Sequence, residues 1–131
     1  IATLALKLSL KHLSAEGRTG TFVTFDRNSR ALYFSRALIP NVRDKDHLDP
    51  PIYRHIGVYG YRPHVLAQYL SLAPTPLEQV EKLEQLRALE NGIPIDVVPV
   101  ESGEKSYCSV DTPEDAKRVE EIIAVEGEIL D

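Results

Sequence analysis

Arginines near the end of one predicted strand are the first residues that could bind a charged ligand. Arg36 follows Ser35 at the end of the predicted strand 31–35, and Arg43 lies a little further along the chain. Two guanidinium groups could clamp a carboxylate or a phosphate in a forked geometry that lysine lacks. The sequence fits solvated arginines in surface ion pairs as well, and this is the commoner case.

A histidine and several tyrosines share the predicted strand 53–61, YRHIGVYGY. Side chains alternate between the two faces of a strand, and one face should carry His55, Gly57, Tyr59 and Tyr61. Such a face could bind the hydroxyl groups of a sugar. A half-buried histidine that only satisfies a backbone carbonyl is at least as common, so both interpretations stay open.

Carboxylate and amide groups occur at two further places. Glu84 and Gln85 are adjacent in a predicted helix, where Glu84 interrupts the apolar side next to Leu83. Together they could accept hydrogen bonds from vicinal hydroxyls and donate to them. Asp111 stands just before the last predicted helix, where capping and the helix macrodipole favour an acidic residue whatever the function. Composition alone therefore favours capping as the role of Asp111.

The elements of the first sixty residues are mostly strands. Leucine at every second position over residues 4–10 predicts a strand with the leucines on one face. Residues 21–26 and 31–35 predict a β-hairpin with Asn28 in the turn. Residues 12–20 predict a loop, and the proline-rich, charged stretch 40–51 predicts a mobile excursion.

A capped helix is predicted over residues 75–92. Thr75 and Glu78 form a capping box around a proline at the first helical position, and a glycine follows the last turn. Glu78 should pair with Lys82 on the outer side. The apolar residues should lie near a common face, namely Leu77, Val80, Leu83 and Leu86.

Two more helices and one strand complete the pattern. Pro63 can begin a short helix, and residues 93–100 predict a buried strand followed by a loop over residues 101–109. A last helix should begin at Pro113, with Thr112 as its cap. Because strands and helices interleave, the predicted fold class is α/β, with a mixed sheet flanked by helices.

The composition argues against several classes of protein. With 131 residues, 43% of them hydrophobic, the chain suits one compact domain or half of a larger one, and its start at Ile1 suggests further sequence upstream. A net charge of −5 with scattered basic residues argues against nucleic acid as a partner. Cys108 is the only cysteine, which excludes an internal disulfide and fits a reducing cytosol. No apolar run reaches the roughly 18 residues that cross a bilayer, so no membrane partner is expected.

Four blocks of the sequence together resemble one enzyme family, namely ALYFSRALIP, YRHIGVYGYR, PLEQVEKLEQLRALENGIPI and VDTPEDAKRVE. In this order they resemble the carboxy-terminal half of 3-deoxy-manno-octulosonate cytidylyltransferase, or CMP-Kdo synthetase. That family joins CTP and the acidic sugar Kdo, with magnesium, to give CMP-Kdo and pyrophosphate for lipopolysaccharide assembly. The resemblance implies a Rossmann-like nucleotide-diphospho-sugar transferase fold, of which residues 1–131 would be the carboxy-terminal half of a single domain.

The resemblance also implies a role for each candidate residue. Two arginines would contact the charged substrates as catalytic residues, Arg36 and Arg43. Four side chains would line the Kdo pocket, namely His55, Tyr59, Glu84 and Gln85. Asp111 would be a ligand of Mg²⁺, the implied cofactor, since hard oxygen ligands suit this ion. The reaction would be an in-line attack by the anomeric hydroxyl of Kdo on the α-phosphorus of CTP.

The sequence departs from the family pattern in two places. The glycine-containing segment that holds the triphosphate and the Gly-Asp-Glu-Pro block are not among these residues, so we expect this chain alone to be inactive. Tyr107 and Cys108 stand before Asp111, where the family pattern predicts glycine-rich spacing. The identity of the sugar substrate is therefore left open, and an 8-amino derivative of Kdo is an alternative to Kdo itself. A non-catalytic sugar-binding or dimerisation module is an alternative of another class.

The expected setting follows from the same resemblance. CTP and Kdo are the expected small-molecule partners, in a cytoplasmic enzyme. The family also implies a homodimer, and its surface is placed at residues 59–87 because this stretch is rich in aliphatic residues and tyrosines.

Overall fold

A computed structural model describes residues 1–8, 20–43, 50–101, 110 and 113–127. Its elements are β1 (Ala2–Lys7), β2 (Phe22–Phe25), β3 (Ala31–Ser35), β4 (Tyr53–Gly60), α1 (Pro63–Leu70), α2 (Pro76–Glu81), α3 (Gln85–Glu90), β5 (Asp96–Glu101) and α4 (Pro113–Glu126). They fall into two compact units, residues 1–101 and 102–131. Most of the predicted loop 12–20, the centre of the excursion and the predicted loop after β5 lie outside the described residues, as does the cap Thr112. No described helix is both long and apolar enough to span a membrane.

The strands of the first unit form one mixed sheet in the order β3-β2-β4-β1-β5. β1 runs parallel to β5 and antiparallel to β4, and β2 is antiparallel to both β3 and β4. The helices α1 to α3 lie in the connection from β4 to β5, which passes β1 because β1 lies between these two strands in the sheet. The predicted α/β class with a mixed sheet is confirmed.

Both faces of β1, an inner strand of the sheet, are buried. Thr3 and Ala5 are buried on one face, and Leu6 and Leu8 are buried on the other. The sequence predicted that the leucines share one face, and the structure buries the opposite face as well. Side chains of α1 and α3 join the first core cluster, which holds Ala5, Val23, Phe34, Tyr69, Leu83, Leu86, Ala88, Ile93, Ile95 and Val97. The second cluster holds Leu6, Leu8, Phe22 and Ile52.

The predicted hairpin of β2 and β3 is confirmed. The Asp26 carboxylate accepts hydrogen bonds from the backbone N–H groups of Asn28 at 2.8 Å and Arg30 at 2.9 Å, which closes the turn. The residue with positive φ in this turn is Ser29, at 62°. Asn28 lies in the turn as predicted, and the aspartate that precedes it stabilises the turn.

The predicted single helix over residues 75–92 is wrong, because the chain breaks it into α2 and α3. Lys82 ends α2 in the left-handed conformation, with φ 56° and ψ 44°. Leu83 and Leu86 are buried after the break, whereas Val80 is 80% exposed. The change of direction at Lys82 therefore lets the later leucines reach the core of the sheet, and the apolar residues do not share one face.

The predicted outer pair of Glu78 and Lys82 is also wrong. Glu78 is buried and forms an ion pair with Arg87, which lies on α3. Its carboxylate also accepts a hydrogen bond from the backbone N–H of Thr75 at 3.1 Å, as the capping box predicted. One carboxylate thus caps α2 and joins it to α3.

Candidate functional site

The candidate residues of β4 are brought together by a β-bulge. The register between β1 and β4 shifts because β4 carries two extra residues, Gly57 and Val58. In a regular strand, residues four apart are separated by roughly 13 Å. Across this bulge the rings of His55 and Tyr59 come into contact, with their centroids 5.3 Å apart. The predicted shared face of these two side chains is confirmed, and glycine in the strand is typical of such a bulge.

The hydroxyl of Thr3 lies against this bulge from β1. Its Oγ1 atom is 2.8 Å from the carbonyl oxygen of Val58 and 3.3 Å from that of Ile56. It is also 2.8 Å from Nε2 of His55. A bulge disrupts the ladder and leaves backbone groups to be satisfied in other ways. Thr3, which is only 2% exposed, therefore fixes the bulge and the histidine ring together.

Five rings form a continuous series that we call the aromatic row: Phe34, His55, Tyr59, Tyr61 and Tyr69. Successive ring centroids are separated by 5.0, 5.3, 5.9 and 6.2 Å. These separations lie in the range of favourable aromatic pairs. The row crosses from β3 over β4 to α1 and combines flat apolar faces with polar groups, which suits a ligand that has both C–H and hydroxyl surfaces.

Burial makes the aromatic row electrically neutral near pH 7. It lowers the pKa of His55 to about 4, so the imidazole is uncharged. Burial is also the main cause that raises the pKa of Tyr59, and the nearby Tyr61, Tyr69 and Glu84 add to it. The tyrosine hydroxyls stay protonated and can donate hydrogen bonds. The row can therefore recognise a ligand by hydrogen bonding and contact.

Glu84 and Gln85 lie at the start of α3, next to the aromatic row. The hydroxyl of Tyr69 donates to the backbone carbonyl of Glu84 at 3.0 Å. Burial is the main cause that raises the pKa of Tyr59 and Tyr61, and the negative charge of the exposed Glu84 carboxylate adds to it. Gln85 is 9% exposed, and no other described residue forms a hydrogen bond with its side-chain amide. The amide is thus available to a ligand as far as the described residues go.

Arg87, which lies on α3, joins this helix to α2 and α1. Its Nε donates to Glu78 on α2 at 2.8 Å, and a second, short bond joins the same two side chains. Its guanidinium carbon is 5.2 Å from the ring centroid of Tyr69 on α1, which is a cation–π contact. Because Tyr69 in turn bonds the carbonyl of Glu84, the start of α3 is fixed relative to the aromatic row.

Arg36 has a structural role in addition to its predicted contact with substrate. Its guanidinium donates from Nε to the carbonyl of Glu81 at 3.1 Å and from one terminal nitrogen to the carbonyl of Lys82 at 3.3 Å. It therefore caps the end of α2 where the chain breaks. The Glu81 carboxylate in turn accepts from Ser35 at 2.8 Å and from the Arg36 backbone N–H at 3.0 Å. Arginine has five N–H donors, so donors remain for a ligand.

Contacts with the aromatic row are not established for the other two predicted site residues, Arg43 and Asp111. Arg43 is exposed at the end of the described stretch 20–43, and no hydrogen bond joins it to another described residue. Asp111 lies outside the described residues, so its role as a metal ligand stays a prediction. The described residues contain no group of three or more His, Cys, Asp or Glu side chains that could hold a metal ion.

Sequence reasoning missed four residues that build this site: Thr3, Tyr69, Glu81 and Arg87. Thr3 gave one signal, because it is a hydroxyl among apolar residues in a strand, but the bulge that it contacts lies more than fifty positions away. No sequence signal indicated the role of Arg87. Its partner Glu78 lies nine residues earlier, and the two side chains are in contact only because the helix breaks between them.

Comparison with known proteins agrees with the family and the fold that were predicted from the sequence. The family model described as Cytidylyltransferase matches residues 2–119. The chain is 54% identical over 112 residues to the 3-deoxy-manno-octulosonate cytidylyltransferase of Maricaulis maris, covering 86% of this chain and 43% of that protein. The protein of the same name from Bartonella henselae is 42% identical over 128 residues, covering 95% of this chain and 49% of its own length.

A solved structure is also similar, that of CMP:2-keto-3-deoxy-manno-octonic acid synthetase complexed with CTP. Its TM-score is 0.73 at 34% identity, and the match covers 95% of this chain and 49% of that one. The chain thus spans about half the length of these relatives or less, and its assignment to their carboxy-terminal half stays a prediction. The predicted family and the nucleotidyltransferase fold are confirmed. This chain belongs to the cytidylyltransferase family.

Proposed function

We propose that the full-length protein containing this chain transfers the cytidylyl group of CTP to the acidic sugar Kdo and releases pyrophosphate. The relatives support this proposal, since those from Maricaulis maris and Bartonella henselae are both named 3-deoxy-manno-octulosonate cytidylyltransferase. The similar solved structure is a complex with CTP. Because the chain matches less than half of each relative's length, the activity is proposed for the full-length protein.

The observation that carries the proposal is the aromatic row beside the start of α3. The rings of His55 and Tyr59 form a neutral wall, and the Gln85 amide can both donate and accept beside it. The Glu84 carboxylate can accept from sugar hydroxyls but would repel the sugar carboxylate. A polyhydroxylated acid therefore fits if its hydroxyls face this wall and its carboxylate points away, towards a cation.

The arginines are the proposed partners of the charged groups. Arg36 keeps free N–H donors beyond the two that bond the end of α2, and Arg43 is exposed. Their forked donors suit carboxylate and phosphate oxygens. We propose that they contact the charged substrates, as the family resemblance implies.

In the proposed reaction the anomeric hydroxyl oxygen of Kdo bonds to the α-phosphorus of CTP. The bond from that phosphorus to the oxygen that bridges to the β-phosphate breaks, pyrophosphate leaves, and the hydroxyl proton goes to solvent. The described residues act by binding and orienting the sugar, and orientation alone can supply a large part of a rate enhancement.

A magnesium ion is the proposed cofactor, with Asp111 as one ligand. A bound Mg²⁺ would offset negative charge on the phosphates. Such an ion usually takes one or two carboxylates together with substrate oxygens, so the donor type of Asp111 suits it. Further ligands would come from outside the described residues.

We also propose that the enzyme is a cytoplasmic homodimer that supplies lipopolysaccharide assembly. The family resemblance supports each of these points. The single cysteine, Cys108, agrees with a reducing compartment, since no disulfide can form within the chain.

The test is an assay of the full-length protein with CTP, Kdo and Mg²⁺, in which CMP-Kdo should form. Gln85→Leu should raise the KM for Kdo about tenfold or more with the KM for CTP unchanged, because a buried polar contact to the sugar is lost. Gln79→Leu, at an exposed position of α2, is the matched control and should change neither constant. Asp111→Asn should abolish magnesium-dependent turnover in a folded protein.

Two results would contradict the proposal. One is a folded full-length protein that forms no CMP-Kdo under these conditions. The other is a clear preference for a different acidic sugar, such as the 8-amino derivative of Kdo, in competition between the two sugars.

A further inference from the structure

The hydrogen bonds of Thr3 determine which nitrogen of His55 carries a proton. Thr3 has one hydroxyl proton, and its Oγ1 is 2.8 Å from both the Val58 carbonyl oxygen and His55 Nε2. A carbonyl oxygen can only accept, so the hydroxyl proton belongs to that bond. The Thr3 oxygen must then accept from His55, which requires a proton on Nε2.

The opposite arrangement is disfavoured by the second carbonyl. If Thr3 donated to an unprotonated Nε2, its oxygen would face the carbonyl oxygens of Val58 and Ile56, at 2.8 and 3.3 Å, with no proton between them. Both carbonyls approach Thr3 because the bulge turns this part of β4 towards β1. An oxygen–oxygen contact of 2.8 Å with no proton between the two atoms is repulsive, and both carbonyls would lose the donor that Thr3 provides.

The other ring nitrogen of His55 is then a hydrogen-bond acceptor. Burial lowers the pKa of His55 to about 4, so only one ring nitrogen carries a proton near pH 7. With that proton on Nε2, Nδ1 has a free lone pair, and no other described residue is hydrogen-bonded to it. Tyr59, the neighbouring ring in the aromatic row, keeps its hydroxyl proton and is a donor or an acceptor as the ligand requires.

We infer that Thr3 is a positioning residue that fixes the tautomer of His55, so that Nδ1 accepts a hydrogen bond from a hydroxyl group of the bound sugar. This inference rests on the proposed function for the identity of the ligand. It gives His55 a specific task, namely to select a hydroxyl at one position of the ligand and to reject a carboxylate or phosphate oxygen there. A charged oxygen has no proton to donate, and it would face the lone pair of Nδ1.

The tautomer can be tested directly by ¹⁵N NMR of the histidine rings in the full-length protein near pH 7. The two neutral tautomers differ in which nitrogen shows the proton-bearing chemical shift, and we expect Nε2 of His55 to show it. Thr3→Ser keeps the hydroxyl and should preserve this pattern. Thr3→Val removes the hydroxyl at nearly constant shape, and the pattern should become mixed. A proton on Nδ1 in the wild-type protein would overturn the inference.

Kinetics test the consequence for ligand binding. Thr3→Val should raise the KM for Kdo about three- to tenfold, the range for one lost hydrogen bond, and leave the KM for CTP unchanged. Thr3→Ser should restore a value close to that of the wild type. Thr24→Val is the matched control, because it changes the same side chain on β2, and it should alter neither KM.

The outcomes separate the two proposals. If the wild-type protein makes no CMP-Kdo, the proposed function fails, while the NMR result still decides the tautomer. If CMP-Kdo forms but Thr3→Val and Thr3→Ser have the same KM for Kdo as the wild type, the positioning role of Thr3 is excluded and the proposed function stands.

Discussion

At the scale of single residues, burial of His55 should make the stability of the protein depend on pH. Burial lowers its pKa from 6.5 to about 4. Between these values the unfolded chain binds more protons than the folded chain, so the free energy of unfolding falls as the pH falls through this window. The expected loss is about 2–3 kcal/mol, since one pKa unit corresponds to about 1.4 kcal/mol and the ring is only partly buried.

Urea unfolding of wild type and His55→Phe at a series of pH values measures this effect. The variant should lack the extra loss of stability between about pH 6.5 and 4 that the lowered pKa predicts for the wild type. His64→Phe, at an exposed position of α1, is the control and should follow the wild type. A constant difference between wild type and His55→Phe over this range would show that burial does not control the protonation of His55.

The candidate site could be predicted from the sequence only where its residues are neighbours along the chain. His55 and Tyr59 were predicted on one face because alternation within a strand is a local property, and their rings are in contact. The roles of Thr3 and Arg87 could not be predicted in this way. Thr3 acts through the register of β1 and β4, and Arg87 acts through the angle between two helices.

At the scale of elements, the break between α2 and α3 predicts that glycine at position 82 stabilises the protein. A continuous helix would predict the opposite effect. Lys82 has φ 56°, a conformation that costs a residue with a β-carbon about 1–2 kcal/mol. Lys82→Gly should therefore raise the free energy of unfolding by about 0.5–1 kcal/mol. In the interior of a helix the same change would lower it by about 1 kcal/mol.

Denaturant unfolding can separate these two cases with matched variants. Lys82→Ala keeps the β-carbon and should be close to the wild type. Gln79→Gly, at an exposed position inside α2, should lower the free energy of unfolding by about 1 kcal/mol. If Lys82→Gly is as destabilising as Gln79→Gly, the left-handed conformation at Lys82 is excluded.

Local signals predicted where helices begin better than where this one ends. Prolines at the first positions of α1, α2 and α4 were identified from the sequence, and each helix begins there. No glycine or proline marks the end of α2 at Lys82. The groups that stabilise this end are Arg36 and Glu81, and Arg36 lies on a strand connection far from it in sequence. Tertiary contacts thus override the helical pattern of residues 75–92.

At the scale of the whole molecule, the fold class was predictable and the strand order was not. Interleaved strands and helices indicate an α/β fold whatever their pairing. The position of β1 between β4 and β5 depends on pairings between residues more than forty positions apart. Both faces of β1 are buried because each packs into its own core cluster, and this is why its alternating leucines described only one of two buried faces.

The last prediction concerns assembly of the proposed homodimer. The surface predicted for it, residues 59–87, exposes large apolar side chains on α1 and α2, namely Leu66, Leu70, Leu77 and Val80. Leu70 is 70% exposed and Val80 is 80% exposed. Exposed apolar patches of this kind often mark protein–protein interfaces. Introducing charges there should weaken association, because a lysine would be desolvated in the interface without a partner.

Sedimentation velocity of the full-length protein over a range of concentrations measures this association. The double variant Leu70→Lys with Val80→Lys should raise the dimer dissociation constant about tenfold or more, which corresponds to about 1.4 kcal/mol or more of lost interface energy. Leu32→Lys is the matched control, because Leu32 is 60% exposed on β3, outside the predicted surface, and it should not change the constant. Weaker association in the control but not in the double variant would move the interface from the helices to the edge of the sheet.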